Sequence, residues 1–160
     1  MGREIERKFL LKNSDWQSLA KAGQSLRQGY FAAPEESSRQ RASIRVRTDG
    51  ENGYINIKSY ELGVSRQEFE YPIPLQDAEH MLDTLCESPL IEKTRYHVNH
   101  GKHMWEVDVF HGDNEGLIVA EIELEHEEET FDKPGWIGEE VSDDTRYYNV
   151  CLTQHPYKDW

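Results

Sequence analysis

Cysteine is scarce in this chain. Cys86 and Cys151 are far apart and fit no metal-ligand spacing, so buried free thiols in a reducing cytoplasm are the default reading. Long apolar runs are missing, and charge begins at Arg3, so neither a membrane span nor a signal peptide is expected. An outer-membrane barrel would need an export signal and falls with it. A cytoplasmic location follows from the same missing signals. Net positive charge is lacking too: the formal charge is −13, which speaks against a nucleic-acid partner, because phosphate-backbone binding needs a basic surface. Gly29 and Gly63 belong to no GxxxxGK[ST] phosphate loop. Apolar content is modest at 36%, against 31% charged residues. Disorder could explain that balance, but four Trp, eight Tyr, five Phe and a regular alternation argue against it.

That alternation is the main positive signal. Strand side chains change face at every residue, so Glu4, Glu6 and Lys8 share one face while Ile5, Arg7 and Phe9 share the other. Arg45 and Arg47 flank Val46, and Lys58 follows Ile55-Asn56-Ile57. Arg66, Glu68 and Glu70 alternate with Gln67, Phe69 and Tyr71, as Lys93 and Arg95 do with Thr94 and Tyr96. Glu106 and Asp108 sit between Trp105, Val107 and Val109, and Glu121 and Glu123 between Ala120, Ile122 and Leu124. Wet outer sheet faces would also alternate. Here, however, some strands carry cation pairs and others carboxylate pairs. Such rows make physical sense if they look into a shared interior where cations hold phosphate and carboxylates hold a divalent metal.

At 160 residues the chain reads as one domain, 1–160, large enough for a real core. Strands are expected over Glu4–Leu11, 26–31, 43–47, 53–58, 63–71, 92–98, 104–110 and 117–125. Pro72 and Pro74 should end the fifth. A short helix is expected after a Ser14/Gln17 capping box, another over 75–85 on Ala78, Met81, Leu82 and Leu85, and a third over 144–152. The stretch 33–42 reads as a mobile loop. The sum is an α+β domain, an eight-stranded antiparallel β-barrel forming a tunnel with a charged lumen and flanked by a few helices.

EIERKFL, QGY, RVR, Ile57-Lys58, RQEFE, EKTRY, WEVDVF, GLIVAEIELE and the late PGWIGEEV and RYYN together resemble the CYTH superfamily, the triphosphate tunnel metalloenzymes. The match runs in order from Glu4 to Leu152. One departure is visible: Ser59-Tyr60 follows Lys58 where many members continue with glycine. The resemblance implies an eight-stranded tunnel that binds a triphosphate with Mg²⁺ or Mn²⁺. By it, Asp108, Glu121 and Glu123, with Glu4 and Glu6, are the metal candidates. Their alternative is an ion-pair lattice with the lumen cations. Lys8, Arg45, Arg47, Lys58, Lys93 and Arg95 are the substrate-binding set. Arg66, Glu68, Glu70 and Glu106 are assigned to the lining. The resemblance also implies that Lys8 and Tyr30 form a dyad beside the attacking water; the alternative for Tyr30 is a core aromatic.

Three functions compete. The first is an inorganic triphosphatase cleaving tripolyphosphate to pyrophosphate and phosphate, favoured by the short chain without a base-binding insertion. The second is a class IV adenylyl cyclase or a thiamine or nucleoside triphosphatase. The third is a non-catalytic polyphosphate sensor. The partner in each is a small triphosphate, and the chain could be a monomer or a homodimer. His97, His100 and His103 straddle a turn and alternate faces, so no zinc site is expected there. The Glu125–Glu129 run reads as a solvated edge, and Trp136 as packing for the C-terminal segment.

Overall fold

A charged lumen needs its apolar residues on the outside of the sheet, and the strand periodicity delivers that. The computed structural model describes residues 2–31 and 41–160; the loop expected at 33–42 lies, apart from its last two residues, outside them. The strands are β1 (Glu4–Leu11), β2 (Gln24–Tyr30), β3 (Ala42–Thr48), β4 (Gly53–Ser59), β5 (Ser65–Arg66), β6 (Glu68–Ile73), β7 (Ile91–His100), β8 (His103–Phe110), β9 (Ile118–Glu123) and β10 (Ile137–Glu140). All pairings are antiparallel, in the order β10-β1-β9-β8-β7-β2-β3-β4-β6. No full ladder returns from β6 to β1. The two residues of β5 pair instead with Glu4 and Ile5, and Glu68 N–H reaches the Gly2 carbonyl at 3.3 Å.

Among the described residues ten strands stand where eight were expected. One extra comes from the break at Gln67, which divides the fifth expected strand into β5 and β6. The other, β10, lies in a Pro/Gly/Trp stretch that carries no alternation. It pairs with β1 because Gly138 lets the two backbones close: a Cβ there would sit 3.0 Å from the Leu10 carbonyl oxygen. The strand expected to stop before Pro72 runs on to Ile73. Pro72 is tolerated because β6 ends the sheet path and leaves one side unpaired.

The helices are shorter than expected. Ser14 makes no side-chain cap; Asn13 Oδ1 accepts from Asp15 N–H at 3.0 Å instead, and only a 3₁₀ helix, Asp15–Leu19, follows. Helix α1 (Leu75–Thr84) buries Ala78 and Leu82 against Val46, while Leu85 is exposed. Gly53 permits this packing, since a Cβ there would meet Ala78 Cβ at 2.6 Å. The expected third helix is divided: Tyr148 is extended between a 3₁₀ turn, Thr145–Tyr147, and α2 (Asn149–Leu152). Among the described residues no helix is long and apolar enough to cross a membrane.

Outward residues of β1, β8 and β9 form one core. Phe9, Trp105, Val107, Ala120 and Ile122 pack there with Trp16 and Trp136. Trp136 stands 5.9 Å from the Trp105 ring, so it serves packing. A second core lies on the inward faces. Leu10, Tyr30, Ile91, Phe110 and Val119 continue the inward rows at one end, where Tyr147 and Leu152 cover them. Each of four rows therefore changes chemistry along its length: Glu4-Glu6-Lys8-Leu10 on β1, His97-Arg95-Lys93-Ile91 on β7, Glu106-Asp108-Phe110 on β8 and Glu123-Glu121-Val119 on β9. The tunnel has a charged mouth and an apolar floor.

Candidate active site

Register decides which charges meet. Lys8 faces Glu121 across β1 and β9, Arg95 faces Asp108 across β7 and β8, and Arg45 faces Asn56 across β3 and β4. The inner cavity is lined by Glu6, Lys8, Tyr30, Arg45, Lys58, Arg66, Lys93, Arg95 and Glu121, with Tyr148 and Asn149 at its floor. A wider cleft toward the mouth adds Glu4, Arg47, Glu68, Glu70, Glu106 and Glu123. Fifteen of the sixteen site residues expected from sequence line these two spaces; Asp108 is the exception.

Asp108 is fully buried behind the wall and has both oxygens engaged. Arg95 approaches with Nε at 2.7 Å from Oδ1 and a terminal nitrogen at 2.8 Å from Oδ2, and Lys93 Nζ lies 2.7 Å from Oδ2. Burial opposes ionisation, but Arg95 and Lys93 hold its pKa down at about 2. It was expected among the metal ligands; here both of its oxygens are taken by Arg95 and Lys93. Lys93 is itself pushed down to about 8 by burial, which outweighs the attraction of Asp108.

The other carboxylates divide into partnered and unpartnered groups. Burial would raise Glu4, but Lys58, 2.9 Å away, holds it below the usual range. Burial would raise Glu121 as well, yet Lys8 at 3.3 Å and Arg95 at 3.9 Å hold it well below. The Glu6 carboxylate has no hydrogen-bond or ion-pair partner among the described residues, and it stands opposite Glu123 in the β1–β9 ladder. Burial, with Glu121 and Glu4 beside it, drives its pKa well above the ordinary value. Glu123 is raised by burial and by Glu4, Glu68 and Glu106. Like charges facing across strands are destabilising, so this corner is short of a cation. Glu4, Glu6, Glu121 and Glu123 are hard oxygen donors of the kind a divalent metal takes, but among the described residues no three His, Cys, Asp or Glu side chains are grouped closely enough to hold a metal ion.

A matching deficit exists on the cationic side. Arg45 is 11% exposed at its side chain; among the described residues its Nε is buried without a partner and the carboxylate nearest to it, Glu70, is 3.7 Å away. Glu70 is shared with Arg47 at 3.6 Å. Burial, with Arg45 and Arg95 nearby, lowers the Arg47 pKa. Asn56 supports this wall by donating to Glu68 at 2.5 Å and to Glu70 at 3.2 Å.

The expected Lys8–Tyr30 dyad is not formed in this structure. Lys8 Nζ donates to the Tyr147 carbonyl at 3.1 Å, and the Tyr30 hydroxyl accepts from Gln28 at 3.3 Å. Tyr30 lines the cavity but packs in the floor core with Ile91 and Phe110. The sequence reading missed Gln28, Asn56, Tyr148 and Asn149. Gln28 and Asn56 share strand parity with Tyr30 and Lys58, which is the signal that could have found them. Tyr148 and Asn149 carry no such signal.

A match to the CYTH domain family covers residues 2–150. An inorganic triphosphatase of Acetivibrio thermocellus is 46% identical over 160 residues, all of this chain and 99% of the other. An inorganic triphosphatase of Nitrosomonas europaea is 39% identical over 155 residues, covering 93% and 95%. A crystal structure of an inorganic triphosphatase superposes with a TM-score of 0.63 at 33% identity, covering 94% of this chain and 93% of that one. With two-faced alternating strands around a charged cavity and a match over nearly its whole length, this chain belongs to the CYTH domain family.

Proposed function

We propose that the chain is a divalent-metal-dependent triphosphatase that hydrolyses inorganic tripolyphosphate to pyrophosphate and phosphate, with residues 1–160 acting as one tunnel domain. One observation carries the reading. Among the described residues, a buried arginine without a full anionic partner, Arg45, and a carboxylate without a cationic one, Glu6, line the same cavity. A metal–triphosphate complex supplies both missing charges at once. The relatives named as inorganic triphosphatases, one 46% identical, support the same substrate.

In this reading Arg45 and Arg47 hold phosphate oxygens with their guanidinium forks, and Lys58, Lys93 and Arg95 form the facing wall. Glu4, Glu6, Glu121 and Glu123 would hold Mg²⁺ or Mn²⁺. When bound, that ion supplies positive charge at the transferring phosphoryl group and makes water more acidic. Asp108 keeps Lys93 and Arg95 aimed at the substrate. Lys8 orients the attacking water, whose oxygen bonds to the terminal phosphorus as the bridging P–O bond breaks.

Purified protein given tripolyphosphate or ATP separately with Mg²⁺ or Mn²⁺ should yield phosphate and pyrophosphate from tripolyphosphate. Cyclic AMP from ATP would replace this reading with the cyclase. Lys8→Ala is expected to depress kcat about 10²-fold or more, with a smaller change in KM; unaltered kcat would remove Lys8 from the chemistry. Glu6→Gln is expected to do two opposite things. Relief of the Glu6–Glu123 opposition should stabilise the metal-free protein by ~1 kcal/mol, read as a higher Tm. Metal-dependent turnover should fall in the same variant. A lower Tm without metal would mean that Glu6 has a partner in solution.

A further inference from the structure

We propose that the tunnel floor, faced by Asn149, sets the length of linear phosphate chain the site accepts and admits substrate by one end only; this rests on the triphosphatase reading above. The inward rows turn apolar at Leu10, Ile91, Phe110 and Val119, and a polyanion cannot thread through such a core. Just above them, Asn149 Oδ1 accepts from Lys93 Nζ at 3.0 Å and from Gln28 Nε2 at 3.1 Å. The Tyr147 carbonyl takes a hydrogen bond from Lys8 Nζ. The Tyr148 ring lies 5.0 Å from the Arg66 guanidinium and 5.7 Å from Lys8 Nζ. Neutral oxygens and an aromatic face thus stand where one more phosphate would meet these cations.

The segment is anchored from outside. The Tyr148 hydroxyl donates to the Ser142 carbonyl at 2.9 Å, and Ser142 Oγ accepts from Lys8 N–H at 2.9 Å. Trp160 packs edge-on against Tyr147 at 5.0 Å. The floor is therefore a fixed stop, and the distance from it to Glu6 and Glu123 fixes how many phosphates fit between. At the open end Glu106, Glu123, Glu125 and Glu129 line a further cleft together with Lys102 and His103, and its carboxylates outnumber its cations where a longer chain would protrude. A fourth phosphate must either project past these carboxylates or push Asn149 off Lys93. Both cost binding, and both cost it only for the longer chain.

The test compares tripolyphosphate with linear tetrapolyphosphate, each with Mg²⁺, on the full chain. Hydrolysis of the latter forms the same water-oxygen-to-phosphorus bond and breaks the terminal bridge, giving tripolyphosphate and phosphate. The wild type should favour the triphosphate in kcat/KM by about tenfold or more. Asn149→Ala should narrow that ratio by about tenfold, chiefly by raising the value for tetrapolyphosphate. The longer side chain of Asn149→Gln should widen it. A general structural defect would instead lower both substrates in step, leaving the ratio unmoved, and that result overturns the proposal. Equal kcat/KM in the wild type overturns it without any variant. Both of those outcomes leave the triphosphatase reading standing. No turnover of either substrate by the wild type would remove that reading and the length limit together.

Discussion

Arg45→Met should lose about 10²- to 10³-fold in kcat/KM for tripolyphosphate, the usual penalty for deleting one pre-aimed donor to a developing oxyanion. The size follows from how little else Arg45 does. Among the described residues its Nε is buried and unpartnered, and its one carboxylate neighbour, Glu70, is 3.7 Å away and shared with Arg47. A buried cation without a close partner does not hold a fold together. The variant should therefore keep the wild-type Tm or exceed it while losing activity. Arg45→Lys should recover only part, because an ammonium offers a point charge where the guanidinium offers a planar fork. Wild-type kinetics in the methionine variant would remove Arg45 from phosphate binding. A collapse of Tm would recast it as structural.

Asp108→Asn should show the reverse pattern, with stability lost first. The carboxylate is fully buried and holds Lys93 and Arg95 through three contacts of 2.7–2.8 Å. Breaking a buried pair by removing one partner costs about 3 kcal/mol or more, and Lys93, already near pKa 8, can relieve part of that by shedding its proton. At 160 residues this corresponds to a Tm drop of about 6 to 12 °C. The pH dependence gives an internal control. Asp108 has a folded pKa of about 2 against an ordinary value of 3.8. A depressed carboxylate stabilises the fold above its unfolded pKa and stops doing so as pH falls through the folded one. The Tm gap between wild type and Asp108→Asn should stay level from pH 7 to pH 4 and close toward pH 2. A gap unchanged across that acid range would mean that charge is not what Asp108 contributes.

Glu6, Arg45 and Asp108 also mark where reading the sequence succeeds. Their rows were legible because strand side chains alternate strictly, so a charge repeated every second residue declares a face. Asp108, expected among the metal candidates, lies outside the cavity lining for a reason internal to that logic. Parity fixes the face of a residue but not its depth, and Arg95, directly opposite in the β7–β8 ladder, closes over it. Strand β10 was invisible because it needs no alternation, only a glycine that allows close backbone approach to Leu10. Pro72 misled because a proline ends a strand only where its missing N–H would have been used.

The sequence by itself determined the antiparallel sheet, the two-faced strands, the acidic and basic rows and the family. All of these depend on local periodicity and short motifs, which survive without knowing what touches what. Tertiary structure alone decided that Asp108 contacts Lys93 and Arg95, that among the described residues the Glu6 carboxylate and the Arg45 Nε lack partners, and that the inward rows end on an apolar floor. The physical reason is that pairing and closure depend on register and on contacts distant in sequence: Asn149 meets Lys93 across 56 positions, and no pattern near either residue records the meeting.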